Sequence, residues 1–283
     1  MKVNYDWKDF CVLEMGKGEK LERWGSVTLL RPDPQIIWGE KIDEKKCDAH
    51  YFRSDTGGGK WKQIKNMPEE WQIGWRNLKF LIKPMGFKHT GLFPEQAVNW
   101  DYMIQEIKLA KRPISVLNLF AYTGGATVAC ASAGASVTHV DSAKNMVERA
   151  KQNAKLSGLE NAPIRYIVDD CFKFVEREIR RGKKYDAIIM DPPSYGRGTN
   201  GEVWKLEDNI YDFVALCKKV LSDKPLFVLI NSYTTGLGAT AMENVLKSAL
   251  GLKGKYESYE VGLPAKNGLN LPCGNSAIFK GEN

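Results

Sequence analysis

The chain has 283 residues, 27% of them charged and 43% hydrophobic, with a formal net charge of +7. That length supports one large domain and a smaller one, and the positive balance favours an anionic partner. No run of about 20 apolar residues occurs and the first 30 residues carry no apolar leader, so the expectation is a soluble, cytoplasmic protein without a membrane partner.

Over residues 1–88, short β-like pieces such as Ser26-Val27-Thr28-Leu29-Leu30 and Lys79-Phe80-Leu81-Ile82-Lys83 are separated by glycine, proline and charged turns. This predicts a small β-rich domain, dense in tryptophan (Trp7, Trp24, Trp38, Trp61, Trp71, Trp75) and richer in positive charge than the rest. Lys60-Trp61-Lys62-Gln63-Ile64-Lys65 interleaves a ring with cations, as single-strand nucleic-acid binders do. An edge strand guarded by lysines has the same pattern. Cys11, Cys47, Cys130, Cys171, Cys217 and Cys273 form no C-x-x-C pair and only three histidines are present, which argues against a disulfide framework and against any metal site.

From residue 89 to 283 strand and helix alternate. A helical pattern from Pro94 to Lys111 leads into a strand at Ser115–Phe120, and a glycine turn opens a helix ending near Gly134. Strands follow at 136–140, 164–168, 185–190, 226–230, 256–261 and 276–279, with helices at 143–156, 172–181, 205–221 and 239–250. Seven strands with intervening helices predict an α/β doubly wound sheet. The last two strands lack a helix between them and should pair as an antiparallel hairpin.

Such sheets hold ligands outside the carboxyl ends of their strands, and four of these ends carry polar groups. The first reads Asn118-Leu119-Phe120-Ala121-Tyr122-Thr123-Gly124-Gly125-Ala126, where small residues admit a ligand and the next helix presents free N–H groups to an anion. It lacks the G-x-G-x-x-G spacing of a dinucleotide site. The second ends in Val140-Asp141, an acid placed to take both hydroxyls of a ribose or, more plainly, to cap the helix behind it. The third ends in Asp169-Asp170-Cys171, where a carboxylate could accept from an adenine amino group or cap its own helix. The fourth, after the apolar run 185–190, is Asp191-Pro192-Pro193-Ser194-Tyr195. The prolines stop the strand, Asp191 and a proline carbonyl can grip the N–H groups of a planar base, and Tyr195 can stack on it. A solvated Pro-Pro turn is the alternative there.

Asn118-Leu119-Phe120-Ala121-Tyr122-Thr123-Gly124-Gly125, Val140-Asp141-Ser142, Asp169-Asp170-Cys171 and Asp191-Pro192-Pro193-Ser194-Tyr195 together resemble the motifs of class I S-adenosylmethionine-dependent methyltransferases. They are most similar to the bacterial group that makes 5-methylcytosine and 7-methylguanine in large-subunit rRNA. The resemblance covers about 195 residues. It implies S-adenosyl-L-methionine with its methionine end near Ala121, Tyr122, Thr123 and Gly124 beside Asn118, its ribose on Asp141, and its adenine near Ser142, Asp170 and Cys171. Gly91-Leu92-Phe93-Pro94-Glu95-Gln96 resembles the segment that closes over the cofactor, which adds Gln96.

The 5-methylcytosine enzymes use a cysteine nucleophile after the Asp-Pro-Pro strand or the next one. Here those places read Ser194 and Ile230-Asn231-Ser232-Tyr233, and Cys273 is the one thiol that could substitute, although a buried structural thiol is the plainer reading of it. The expectation is therefore direct methylation of an RNA base, rRNA foremost, with Asp191, Pro192, Pro193, Ser194 and Tyr195 as the catalytic set. Methylation of a protein or small molecule, or a non-catalytic cofactor-binding assembly factor, are the competing readings.

Overall fold

The computed structural model describes residues 1–54, 58–86, 88–197 and 203–282. It divides into two compact units, Val3–Ala97 with Gly262–Pro272, and Met1–Lys2 with Val98–Val261 and Cys273–Asn283. The sequence pattern put the boundary at 88/89. The division falls between Ala97 and Val98, and the segment Gly262–Pro272 groups with the amino-terminal unit, where Val12 bridges Ala265. No helix among the described residues is long and apolar enough to cross a membrane.

After β1 (Lys2–Val3), the amino-terminal unit holds β2 (Phe10–Gly16), β3 (Glu19–Trp24), β4 (Val27–Pro32), β5 (Ala49–Arg53) and β6 (Gly59–Gln63) in one sheet of that order. β7 (Trp71–Trp75) and β8 (Leu78–Ile82) form a separate hairpin. Tryptophans serve the core: Trp24 and Trp75 are fully buried, and Trp71 donates its indole N–H to the Trp24 carbonyl at 2.8 Å. Inside lies the Glu22–Arg31 pair, bidentate at 2.6 and 2.8 Å, a geometry that offsets part of the cost of burying both charges. The Lys60–Lys65 segment is the edge strand β6. Trp61 packs on Tyr51 and donates to the Met85 carbonyl at 2.8 Å, and Lys62 pairs with Glu44. Its ring and that lysine are thus engaged within the amino-terminal unit, the pattern of a guarded edge.

The larger unit is built on an eight-stranded sheet of order β1-β16-β17-β15-β12-β9-β10-β11. Its strands are β9 (Ser115–Leu119), β10 (Ser136–Asp141), β11 (Ile164–Val168), β12 (Ala187–Met190) and β15 (Phe227–Ser232), all parallel, with β17 (Asn270–Gly281) antiparallel to β15. β16 (Gly254–Pro264) lies beside β17 as the expected hairpin. Seven strands were expected. The eighth is the two-residue β1 on the outer edge, where Lys2 pairs with Glu257 and sits 3.8 Å from the Tyr259 ring centre. A second short pair, β13 (Tyr195–Arg197) with β14 (Val203–Lys205), follows the Pro-Pro turn.

Alternate residues of the central strands enter different cores, which is why their sequences are apolar throughout. Leu117, Ile188, Met190, Val228 and Ile230 pack with Phe174, Phe213 and Leu246 from α4 (Cys171–Arg180), α5 (Leu206–Lys218) and α6 (Ala239–Leu250). Val116, Ile189, Phe227 and Leu229 pack with Met103, Ile107 and Cys130 from α1 (Ala97–Leu109) and α2 (Gly125–Ser132). α3 (Lys144–Leu156) runs between β10 and β11. The winding reverses between β9 and β12, so their carboxyl ends border the crevice where doubly wound sheets bind ligands.

Candidate active site

The chain leaves β9 through a strained turn. Phe120 and Tyr122 have φ of 55° and 49° and Gly124 has 83°, and a left-handed conformation at a non-glycine residue costs about 1–3 kcal/mol. Surrounding bonds hold it: the Phe120 N–H donates to Cys171 Sγ at 3.3 Å, Ala121 to the Val140 carbonyl at 3.0 Å, and Tyr122 to Asp141 Oδ2 at 2.8 Å. α2 then starts at Gly125 with no side-chain cap, which leaves its first N–H groups for a ligand anion.

The glycines also answer to packing. A Cβ on Gly124 would lie 2.8 Å from Ala150 Cβ of α3, and one on Gly125 would lie 2.7 Å from the Trp100 ring. Beneath the turn, Asn118 is 2% exposed and its amide donates to Thr127 Oγ1, which lies 2.9 Å from His139 Nδ1. Burial pushes the His139 pKa down to about 3. Asn153 donates to the carbonyl of the buried Thr123 at 2.8 Å. Asn118 is thus a strut below the turn.

At the end of β10, Asp141 accepts from Tyr122 N on one oxygen and from Ala143 N at 2.9 Å on the other. It ties two loops together and is not the side-chain cap of α3, whose first residue is Lys144. Burial raises its pKa, and the two N–H bonds oppose that rise. Each oxygen still has a lone pair for a further donor. Ser142 beside it is exposed. At the end of β11, Asp169 pairs with Arg177, and Asp170 caps α4 by accepting from Lys173 N at 3.0 Å. The buried Cys171 thiol sits far above its usual pKa because of desolvation.

The β12 end adjoins this turn, with Asp191 N directed at the Leu119 carbonyl at 3.4 Å. Asp191 is half-buried, and Oδ1 accepts from Asn231 Nδ2 at 3.0 Å. Pro192 is buried and Pro193 exposed. The Pro193 carbonyl takes the Trp204 indole N–H at 2.6 Å, the Ser194 carbonyl takes Leu206 N at 3.0 Å, and Thr234 donates to Ser194 Oγ at 2.8 Å. Tyr195, on β13, is 52% exposed. Trp204 continues inward into a ring cluster with Phe120, Phe172 and Phe213, centroids 4.3 to 6.0 Å apart.

The ends of β9, β10, β11 and β12 therefore bring together the turn 120–124, Asp141, Ser142, Asp170, Cys171 and Asp191 through a continuous set of bonds. Gln96 lies in the amino-terminal unit, 8% exposed, at the end of the 3₁₀ turn Pro94–Gln96. Sequence reasoning missed Asn231, Thr234 and Trp204. Asn231 was findable, since it follows the apolar run of β15 as Asp191 follows that of β12. Trp204 carried no local signal, because its partner Pro193 lies eleven positions back across the β13–β14 pair.

A family model described as S-adenosylmethionine-dependent methyltransferase matches residues 33–233, more than two thirds of the chain. The chain belongs to this family. A crystal structure of the SAM-dependent methyltransferase from Agrobacterium tumefaciens is similar at 36% identity and a TM-score of 0.91, over 97% of this chain and 91% of that one. Among curated relatives, ribosomal RNA large subunit methyltransferase K/L of Syntrophotalea carbinolica is 27% identical over 183 residues, and methyltransferase I of Klebsiella pneumoniae is 33% identical over 123. Those matches cover 64% and 42% of this chain but span only 25% and 29% of the curated relatives. The family fits the site: an uncapped helix start suits the cofactor's carboxylate, and an acid already oriented by two N–H bonds suits its ribose.

Proposed function

We propose that this cytoplasmic methyltransferase transfers a methyl group from S-adenosylmethionine to a nitrogen of an RNA base, with rRNA as the substrate. The observation that carries the reading is Asp191. Its carboxylate stands at the rigid Pro-Pro end of β12, one oxygen held by Asn231, next to the turn after β9. A carboxylate so oriented can accept the N–H of a planar base. The rRNA methyltransferase names of the curated relatives support the substrate class.

The residues divide by task. The turn Ala121–Gly124, braced by Asn118 and followed by the first N–H groups of α2, holds the amino-acid end of the cofactor. Asp141 takes the ribose, and Ser142, Asp170 and Cys171 border the adenine. The bound cofactor supplies a methyl group already activated by its sulfonium, so transfer is an in-line displacement that forms an N–C bond as the C–S bond breaks. The protein then has to align the acceptor and exclude water. Asp191 and the Pro192 carbonyl hold the N–H so that the nitrogen lone pair faces the crevice, and Asp191 is placed to receive the displaced proton. Pro193 and Ser194 keep this edge rigid through Trp204 and Thr234. Tyr195 stacks the base once it has been unstacked from its helix.

Incubation with methyl-labelled S-adenosylmethionine and, separately, total RNA, protein extract and metabolite extract tests the reading. Label in RNA, in an N-methylated nucleoside after digestion, is the expected result. Label in protein or metabolites alone would overturn the substrate class, and no transfer to any pool would overturn catalysis.

A further inference from the structure

Behind Asp191 runs a line of side chains that the reaction does not touch. Tyr259 of β16 donates its hydroxyl to Asn99 Oδ1 of α1 at 2.7 Å, and Asn99 Nδ2 donates to Ser276 Oγ of β17 at 2.9 Å. Ser276 donates onward to Asn231 Oδ1 of β15 at 2.9 Å, and Asn231 Nδ2 donates to Asp191 Oδ1 at 3.0 Å. Asn99, Ser276 and Asn231 are 0% exposed and Tyr259 is 7% exposed. All five residues belong to the larger unit.

We propose that Asn231 is a positioning residue for Asp191, and that Tyr259, Asn99 and Ser276 fix its orientation. This rests on the reading that Asp191 holds the acceptor base. Every donor in the line points the same way, from the Tyr259 phenol toward the carboxylate. A serine hydroxyl has one proton, and Ser276, accepting from Asn99, directs it at Asn231. The Asn231 amide is thereby turned with its NH₂ toward Asp191. Turned over, it would set a carbonyl against a carboxylate and strand the Ser276 proton. Aligned bonds polarise one another, which strengthens the last of them. Water has no access to substitute for a missing link, because the intermediate residues are buried. Two asparagines and a serine in a sheet core are a poor choice for packing alone, where apolar side chains of similar volume cost less. Their common terminus on Asp191 accounts for them. Asp191 Oδ1 is thereby pinned, which fixes the orientation of the carboxylate that meets the acceptor.

The test uses the full chain labelled at aspartate ¹³Cγ, with the Asp191 signal assigned by its loss in Asp191→Ala. Ser276→Ala and Tyr259→Phe each remove one oxygen, which keeps folding secure beside the more drastic Asn231→Ala. The Asp191 signal is expected to move in Asn231→Ala and Ser276→Ala and less in Tyr259→Phe. In methyl transfer, Ser276→Ala should lower kcat about tenfold, the loss of one such bond, with KM and cofactor affinity unchanged. In an Asp191→Ala background, Asn231→Ala should cost nothing further, since a group acting through Asp191 has nothing left to act on. An unmoved Asp191 signal in Ser276→Ala, or additive losses in the double variant, would overturn the proposal. A moved signal in a protein that transfers nothing to RNA would instead uphold the network and sink the function proposed above.

Discussion

Asp141 is oriented before any ligand arrives, by the Tyr122 and Ala143 N–H groups. Asp141→Ala should abolish measurable S-adenosylmethionine binding in calorimetry, since two charge-assisted hydrogen bonds at about 1.5–3 kcal/mol each amount to a hundredfold or more. The same site sets a pH dependence. Burial raises the Asp141 pKa in the free protein, so its protonated form is favoured by folding; that contribution is present at low pH and is lost as pH rises through the folded value. The ribose hydroxyls need the ionised form. Cofactor affinity should therefore fall on acidification at a higher pH than an exposed aspartate, near 3.9, would dictate, and Asp141→Asn should flatten the profile. Asp191 behaves oppositely in its proposed role: Asp191→Ala should leave cofactor affinity nearly unchanged while transfer falls about a hundredfold or more. Equal loss of binding and transfer would place Asp191 in the cofactor site.

At the scale of elements, the turn between β9 and α2 is held as tightly by its neighbours as by its own sequence. Gly125→Ala sets a methyl group 2.7 Å from the Trp100 ring, so the start of α2 or of α1 must shift. We expect urea unfolding to show about 1–3 kcal/mol lost, together with weaker cofactor binding, because the shifted atoms include the free N–H groups of α2. Retained stability with intact binding would show that the two helices can slide. The glycine pair was visible in the sequence as a ligand turn, but its packing role was not, since Trp100 and Ala150 lie 25 and 26 positions away from their glycines. The same division holds elsewhere. β12 was legible because Ala187–Met190 is buried on both faces, and Asp170 was legible as a cap because the cap is local. β1, with two residues, and β13 and β14, with three each, are too short to carry a period. They are strands only because a partner elsewhere in the chain supplies hydrogen bonds.

For the whole molecule, thiol placement decides between carbon and nitrogen chemistry. Methylation at carbon 5 of a pyrimidine generally needs a covalent cysteine adduct, whereas direct transfer to nitrogen needs none. Of the six cysteines, Cys47, Cys130, Cys171 and Cys217 are buried, and desolvation raises each thiol, that of Cys47 to about 11, which leaves little thiolate at neutral pH. Cys11 belongs to the amino-terminal unit, on β2. Cys273 remains. β17 pairs antiparallel with β15 up to Ser232↔Asn275, so the half-buried Cys273, two residues before Asn275, lies at the carboxyl end of the sheet, beside the edge that carries Asp191. Of the larger unit's thiols it is the one that chain topology would allow to reach an acceptor base. Cys273→Ser should nevertheless leave transfer intact, measured on the same RNA as Asp191→Ala, and RNA containing 5-fluorocytosine should trap no adduct on the wild-type protein. Lost activity in Cys273→Ser together with a protein–RNA adduct that vanishes in the variant would move the acceptor from nitrogen to carbon and make Asp191 a base-holding group for a covalent mechanism.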